Sequence, residues 1–87
     1  MVSGNIVIMG KHGLHMRPAK ELCQVATDYK CKISLVSGGT YVNAKILLNV
    51  LGAVIKEETS VEIVCDGEDE EEALAAVIKV LSDMKEN

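Results

Sequence analysis

The chain has 87 residues, 48% of them apolar and only 2% aromatic, with no Phe or Trp and a formal net charge of −4. That length supports one domain spanning residues 1–87, with a modest core made of Val, Ile, Leu, Ala and Met. The acidic balance, together with the lack of aromatic stacking platforms, argues against a nucleic-acid binder. No apolar stretch approaches the ~20 residues a membrane-spanning helix needs.

In chain order, residues 4–9 (GNIVIM) are a short β-prone apolar run, and GKHG after it has the composition of a loop. The opening MVSGNIVIMG has no basic leader and enters this strand directly, so it does not read as a signal peptide, and a cytoplasmic location is expected. From Met16 to about Asp28, Ala19, Leu22, Cys23 and Ala26 recur at helical spacing. Pro18 falls in the first turn of that helix, where a missing N–H costs nothing. Residues 32–37 (KISLVS) alternate as a strand, Gly38-Gly39 supplies a tight hairpin turn, and TYVN returns as the next strand.

Residues 46–52 (ILLNVLG) are apolar nearly all round and end in glycine, which predicts a short helix with a glycine stop. Ile46, Leu47, Leu48, Val50 and Leu51 cannot all face inward from so short a helix, so part of this surface should be exposed. Such a patch commonly marks a partner site, although a short core helix under a loop fits the same pattern. Residues 60–65 (SVEIVC) alternate again, DGED is a turn, and Ala73, Leu74, Val77, Ile78, Leu81 and Met84 form one face of a last helix over about 70–85. The order is β-α-β-β-α-β-α, an α+β arrangement with helices on one face of a small sheet.

The acidic run Glu68 to Glu72 lacks the spacing of a calcium loop and reads as carboxylates opposing the positive end of a helix dipole. Cys23, Cys31 and Cys65 are odd in number and in no metal-ligand or redox spacing, so they read as small buried hydrophobes. His12 and His15 find no third ligand nearby, and Arg17 would repel a cation, so no metal site is expected. A metal or redox protein built on His12, His15 and Cys23 is therefore a remote reading, and no cofactor is implied.

The chemistry concentrates in GKHGLHMRPAK, residues 10–20. His15 directly precedes a helix, whose first N–H groups lack partners and attract anions. That positive field favours the neutral, nucleophilic imidazole. Arg17 adds a permanent guanidinium able to pair with phosphate oxygens, and Gly13 allows close backbone approach. Together they describe a nucleophile beside an anion cradle, suited to reversible phosphorylation of the imidazole. Taken alone, a histidine at a helix start is more often an ordinary cap or surface residue.

The stretch GLHMRPA resembles the G-[LI]-H-x-R-P-A signature of the histidine-containing phosphocarrier family, HPr, of the bacterial phosphoenolpyruvate:sugar phosphotransferase system. The likeness extends over the whole chain through its length, element order, NAKILLNVLGA and DGEDEEEA. It implies an open-faced β-sandwich, a four-stranded antiparallel sheet carrying three helices on one face. It also implies that His15 is phosphorylated on its δ1 nitrogen by enzyme I and passes the phosphoryl group to the A domains of sugar permeases. The protein would be a stoichiometric carrier and not a turnover enzyme.

By the same resemblance, Arg17 and the backbone amides of Met16 and Arg17 would steady the phosphohistidine. Met16, Lys20, Leu47, Leu48 and Leu51 would meet the partner proteins, with the carrier acting as a monomer. One departure stands out. Many relatives from Gram-positive bacteria carry a regulatory serine where this chain has Ile46; its phosphorylation by an ATP-dependent kinase recruits a transcription regulator. Ile46 has no hydroxyl for that switch. Met16 and Asn49 also replace the alanine and glycine common there, which bears on partner choice more than on the histidine chemistry. A second function from a different class is a regulatory binding module of the same fold that contacts a transcription regulator or metabolic enzyme without relaying phosphate.

Overall fold

In the computed structural model, the residues described are 1–8, 13–14, 16–56 and 58–83. Seven elements follow in the expected order: β1 (Val2–Val7), α1 (Met16–Thr27), β2 (Lys32–Ser37), β3 (Thr40–Asn43), α2 (Leu47–Gly52), β4 (Ser60–Asp66) and α3 (Glu70–Asp83). The strands form one antiparallel sheet in the order β1-β4-β2-β3. Helices α1 and α3 pack on each other, α3 packs on β1 and β4, and α2 packs on α1 and β3. The open-faced sandwich that the resemblance implies is thus realised.

Side-chain alternation decides which residues the sheet offers to the helices. Ile33 and Leu35 of β2, Val42 of β3, and Val61, Ile63 and Cys65 of β4 are buried, whereas Lys32, Tyr41, Asn43 and Asp66 lie on the exposed face. From α1 the expected Ala19, Leu22, Cys23 and Ala26 meet them, joined by Ala73, Val77 and Leu81 of α3. Leu74 and Ile78 are only partly buried against that core, so the inward face of α3 is narrower than its apolar pattern suggests. Met84, read as part of that face, lies outside the described residues.

Two boundaries differ from expectation. β1 covers Val2–Val7 and not residues 4–9, because its register runs from Val2 opposite Cys65 to Val7 opposite Ser60. Within it Val2 and Ile6 are half-buried against the core and Val7 is exposed, so the apolar run straddles both faces of the strand and misplaces its end. Gly4 faces α3 closely: a Cβ there would lie 3.2 Å from Ile78 Cδ1.

The second difference concerns the end of α2. Gly52 is the helix's last residue and not a left-handed stop, and Ala53 after it is still right-handed, with φ −73° and ψ −18°. The positive φ arrives at Val54, at 50°. A β-branched residue in that region is strained by steric conflict between its Cβ and the backbone. Val54 is 68% exposed, so its side chain contributes little packing in return. Val54→Asn should therefore raise the unfolding free energy by about 1 kcal/mol, since asparagine tolerates the left-handed region. An unchanged or lower urea midpoint would show that Val54 carries no such strain.

The turn before α3 is fixed by its carboxylates. Asp69 accepts the amides of Lys30 at 2.8 Å and Cys31 at 3.0 Å, and these bonds hold its carboxyl below the usual range. Glu70 accepts the Gly67 amide at 3.0 Å, which lowers its carboxyl likewise. The first turn of α3 carries Glu70, Glu71 and Glu72, which suits the positive end of a helix and accounts for the acidic run without a cation. The three cysteines are free and buried as expected. Burial pushes the Cys31 thiol up to about 11 and raises those of Cys23 and Cys65, so all three are poor nucleophiles in the folded protein.

Candidate functional site at the start of the first helix

His15, with His12 and Lys11, lies outside the described residues. In the chain His15 immediately precedes Met16, the first residue of α1, so the surroundings of that helix start define the site. The amides of Met16 and Arg17 have no acceptor within the helix by virtue of their position, and Pro18 has no N–H to leave unpaired. Pro18 itself is buried, its ring anchoring the first turn against the core.

The charges of this turn run against ordinary helix design. The first turn of α1 holds no acidic residue, while Arg17 and Lys20 are both exposed on that end of the helix. Cations at a helix N-terminus are disfavoured by a few tenths of a kcal/mol each, and an anion there is favoured. The contrast with the three glutamates opening α3 sits within one small protein. Met16, Arg17, Lys20, Glu21 and Gln24 line a shallow depression of about 490 Å³ along α1.

The segment leading into α1 is held by the segment leaving α2. The Leu14 amide donates to the Ile55 carbonyl at 2.8 Å, and Leu14 is buried. Gly13 adopts φ +65°, and a Cβ on it would collide with that same Ile55 oxygen and lie 2.8 Å from Lys56 Cα. The expected role of Gly13, close backbone approach, is therefore met by the chain after α2.

That contact brings α2 into the same region. Leu48 is 79% exposed, Ile46 and Met16 are about half exposed, Leu47 and Leu51 are half-buried, and only Val50 points fully into the core. The anticipated apolar surface is thus exposed, carried by Leu48 in particular. Ile46 occupies the N-cap of α2 with φ −115° and ψ 110° and gives no side-chain hydrogen bond to the helix. A serine hydroxyl at such a position would ordinarily cap it, so Ile46 leaves the start of α2 without a side-chain cap. Among the described residues, no helix is long and apolar enough to cross a membrane and no metal-ligand cluster occurs.

The fold is an open-faced sandwich, and its first helix begins with Arg17 and Lys20 exposed, while Leu48 and Ile46 of α2 carry exposed apolar surface. The family model described as the PTS HPr component phosphorylation site matches residues 2–83. The phosphocarrier protein HPr of Mycoplasma capricolum is 31% identical over 83 residues, 95% of this chain and 93% of that protein. The chain belongs to the HPr family of phosphocarriers. Among solved structures, an HPr from Thermoanaerobacter tengcongensis superposes with a TM-score of 0.94 at 29% identity, covering 100% of this chain and 98% of the other. Crh, a Bacillus subtilis catabolite repression protein whose structure is a domain-swapped dimer, matches with a TM-score of 0.77 at 30% identity over 97% of each chain.

Proposed function

We propose that this chain accepts a phosphoryl group on His15 from enzyme I charged by phosphoenolpyruvate and passes it to the A domains of sugar permeases. The observation that carries the reading is the start of α1, whose first turn holds Arg17 and no carboxylate, the nearest acidic residue of the helix being Glu21, after Lys20. A dianionic phosphoryl group on the imidazole would restore the favourable pairing of negative charge with a helix N-terminus. The bond to phosphorus passes from the donor to one imidazole nitrogen, and the other nitrogen keeps its proton. The Met16 and Arg17 amides and the Arg17 guanidinium then hold the phosphoryl oxygens. Catalysis of this kind rests on positioning and charge stabilisation, so the carrier needs no metal or cofactor of its own.

Partners would dock on the apolar ground around Met16, Leu47, Leu48 and Leu51, with Lys20 meeting acidic groups at its edge. One chain suffices for this relay, so the carrier is read as a monomer acting in the cytoplasm. Incubation with phosphoenolpyruvate and the cognate enzyme I, followed by intact mass, should show one acid-labile phosphoryl group that His15→Ala lacks. Arg17→Ala should slow transfer about tenfold or more, the cost of a charge-assisted hydrogen bond lost in the reacting state. Phosphorylation that persists in His15→Ala would overturn the assignment.

The likeness to Crh supports a second reading, a regulatory module that binds a transcription regulator or metabolic enzyme without relaying phosphate. A chain that enzyme I never phosphorylates, yet that binds such a regulator, would establish it. The missing hydroxyl at Ile46 weighs against its best-known form.

A further inference from the structure

A second concavity, of about 420 Å³, lies away from the α1 start, between β2, β3 and α2. Three of the chain's nine cationic residues, Lys30, Lys32 and Lys45, line it, and among the described residues no carboxylate does. In a chain of net charge −4, three lysines along one small concavity leave it locally cationic.

The walls of the site are fixed by hydrogen bonds. Lys45 is half-buried and its Nζ donates to the Tyr29 carbonyl at 2.6 Å, which sets the ammonium in place and leaves it further protons to donate. Asn43 Oδ1 accepts the Lys45 amide at 2.9 Å. The Asp69 carboxylate accepts the Lys30 and Cys31 amides behind the rim, and Asp66 stands opposite Lys32 in the β2–β4 register, so the three lysine ammonium groups outnumber the two nearby carboxylates. Ser34 stands opposite Asn43 in the β2–β3 register, with Lys32 two residues along on the same face as Ser34. Asn49 of α2 completes the rim.

We propose that this cavity binds a small phosphorylated ligand, one carrying at least two negative charges on a compact body. Its volume is at the lower end of small-molecule sites, too small for a macromolecular segment of any length. The donors along its lining are point-charge ammonium groups, a hydroxyl and side-chain amides. That set suits tetrahedral phosphate oxygens, to which lysine ammonium groups bind as point charges. Because Asn49 belongs to α2, an occupant would touch the same helix that carries Leu48, so it is placed to modulate docking there.

The test is an amide-resolved NMR titration of the full chain with pyrophosphate at physiological salt. Saturable shifts should gather at Lys32, Ser34, Asn43 and Asn49. The double variant Lys30→Gln/Lys32→Gln, which changes only side chains at the rim, should weaken that binding at least tenfold while leaving the urea midpoint and His15 phosphorylation unchanged. Arg17→Gln should leave it intact. Shifts that rise linearly, that persist in the double variant, or that fall only on residues 16–20 would overturn the site. Citrate binding the same residues as tightly as pyrophosphate would overturn its assignment to phosphate.

Discussion

Gly13→Ala is expected to lower the unfolding free energy by about 3 kcal/mol. Two costs combine. The backbone there stands at φ +65°, where a Cβ costs about 1–2 kcal/mol. The added Cβ would also collide with the Ile55 oxygen and lie 2.9 Å from the Lys56 carbonyl carbon, both backbone atoms that cannot rotate away. Relief requires parting the two segments, which breaks the bond from the Leu14 amide to Ile55. A chain of this length has roughly 4–13 kcal/mol of stability in all, so the loss is a large share of it. Thermal unfolding should fall by on the order of 15 °C.

The comparison that isolates the contact is Gly39→Ala in the hairpin. Gly39 has φ +82° but no atom within 4 Å of where a Cβ would stand, so only the backbone cost of about 1 kcal/mol applies. Equal losses for the two variants in urea unfolding would mean that the Gly13–Ile55 approach does not hold in solution. On the carrier reading, because the same approach sets the path into α1, Gly13→Ala should also slow phosphorylation of His15 under conditions where the variant is still folded.

Much of this was legible locally. The helix stripe of α1, the alternation of β2 and β4 and the Gly38-Gly39 turn are set by neighbours along the chain, and each falls where the periodicity puts it. The end of β1 was not legible, because Val7 and Ile8 look alike as residues and only the pairing with β4 turns one out and the other in. Gly52 misled for a related reason. Glycine permits a left-handed stop without requiring one, and the positive φ falls two residues later on Val54.

The site divides in the same way. The signature around His15 is contiguous, so the resemblance could name Arg17, Met16 and Lys20 from the chain alone. The anchoring of Gly13 and Leu14 to Ile55 spans some forty residues and carries no local signal. The lysine-lined cavity was missed because Lys30 and Lys32 reach Lys45 only after the β2–β3 hairpin folds back, and no spacing along the chain announces that meeting. A search for cations at alternate strand positions next to a hairpin would have been the one available clue.

Leu48→Asp should separate docking from folding. Leu48 is 79% exposed on α2, so replacing it removes little buried area and the urea midpoint should stay where it is. On the carrier reading, the same side chain stands at the centre of the surface that enzyme I and the permease domains cover. An aspartate there puts an unpaired charge into an interface core, a change that costs about 2 kcal/mol or more at such central positions. The KM of enzyme I for the variant should accordingly rise about 30-fold. Turnover at saturation should fall much less, because the helix start around Met16 and Arg17 is untouched. Tyr41→Asp provides the control, since Tyr41 is 73% exposed on β3, on the open face of the sheet. If both variants raise KM alike, added negative charge alone accounts for the effect. If Leu48→Asp leaves KM unchanged, the apolar face of α2 is not where the donor docks, and the exposed leucine needs another partner.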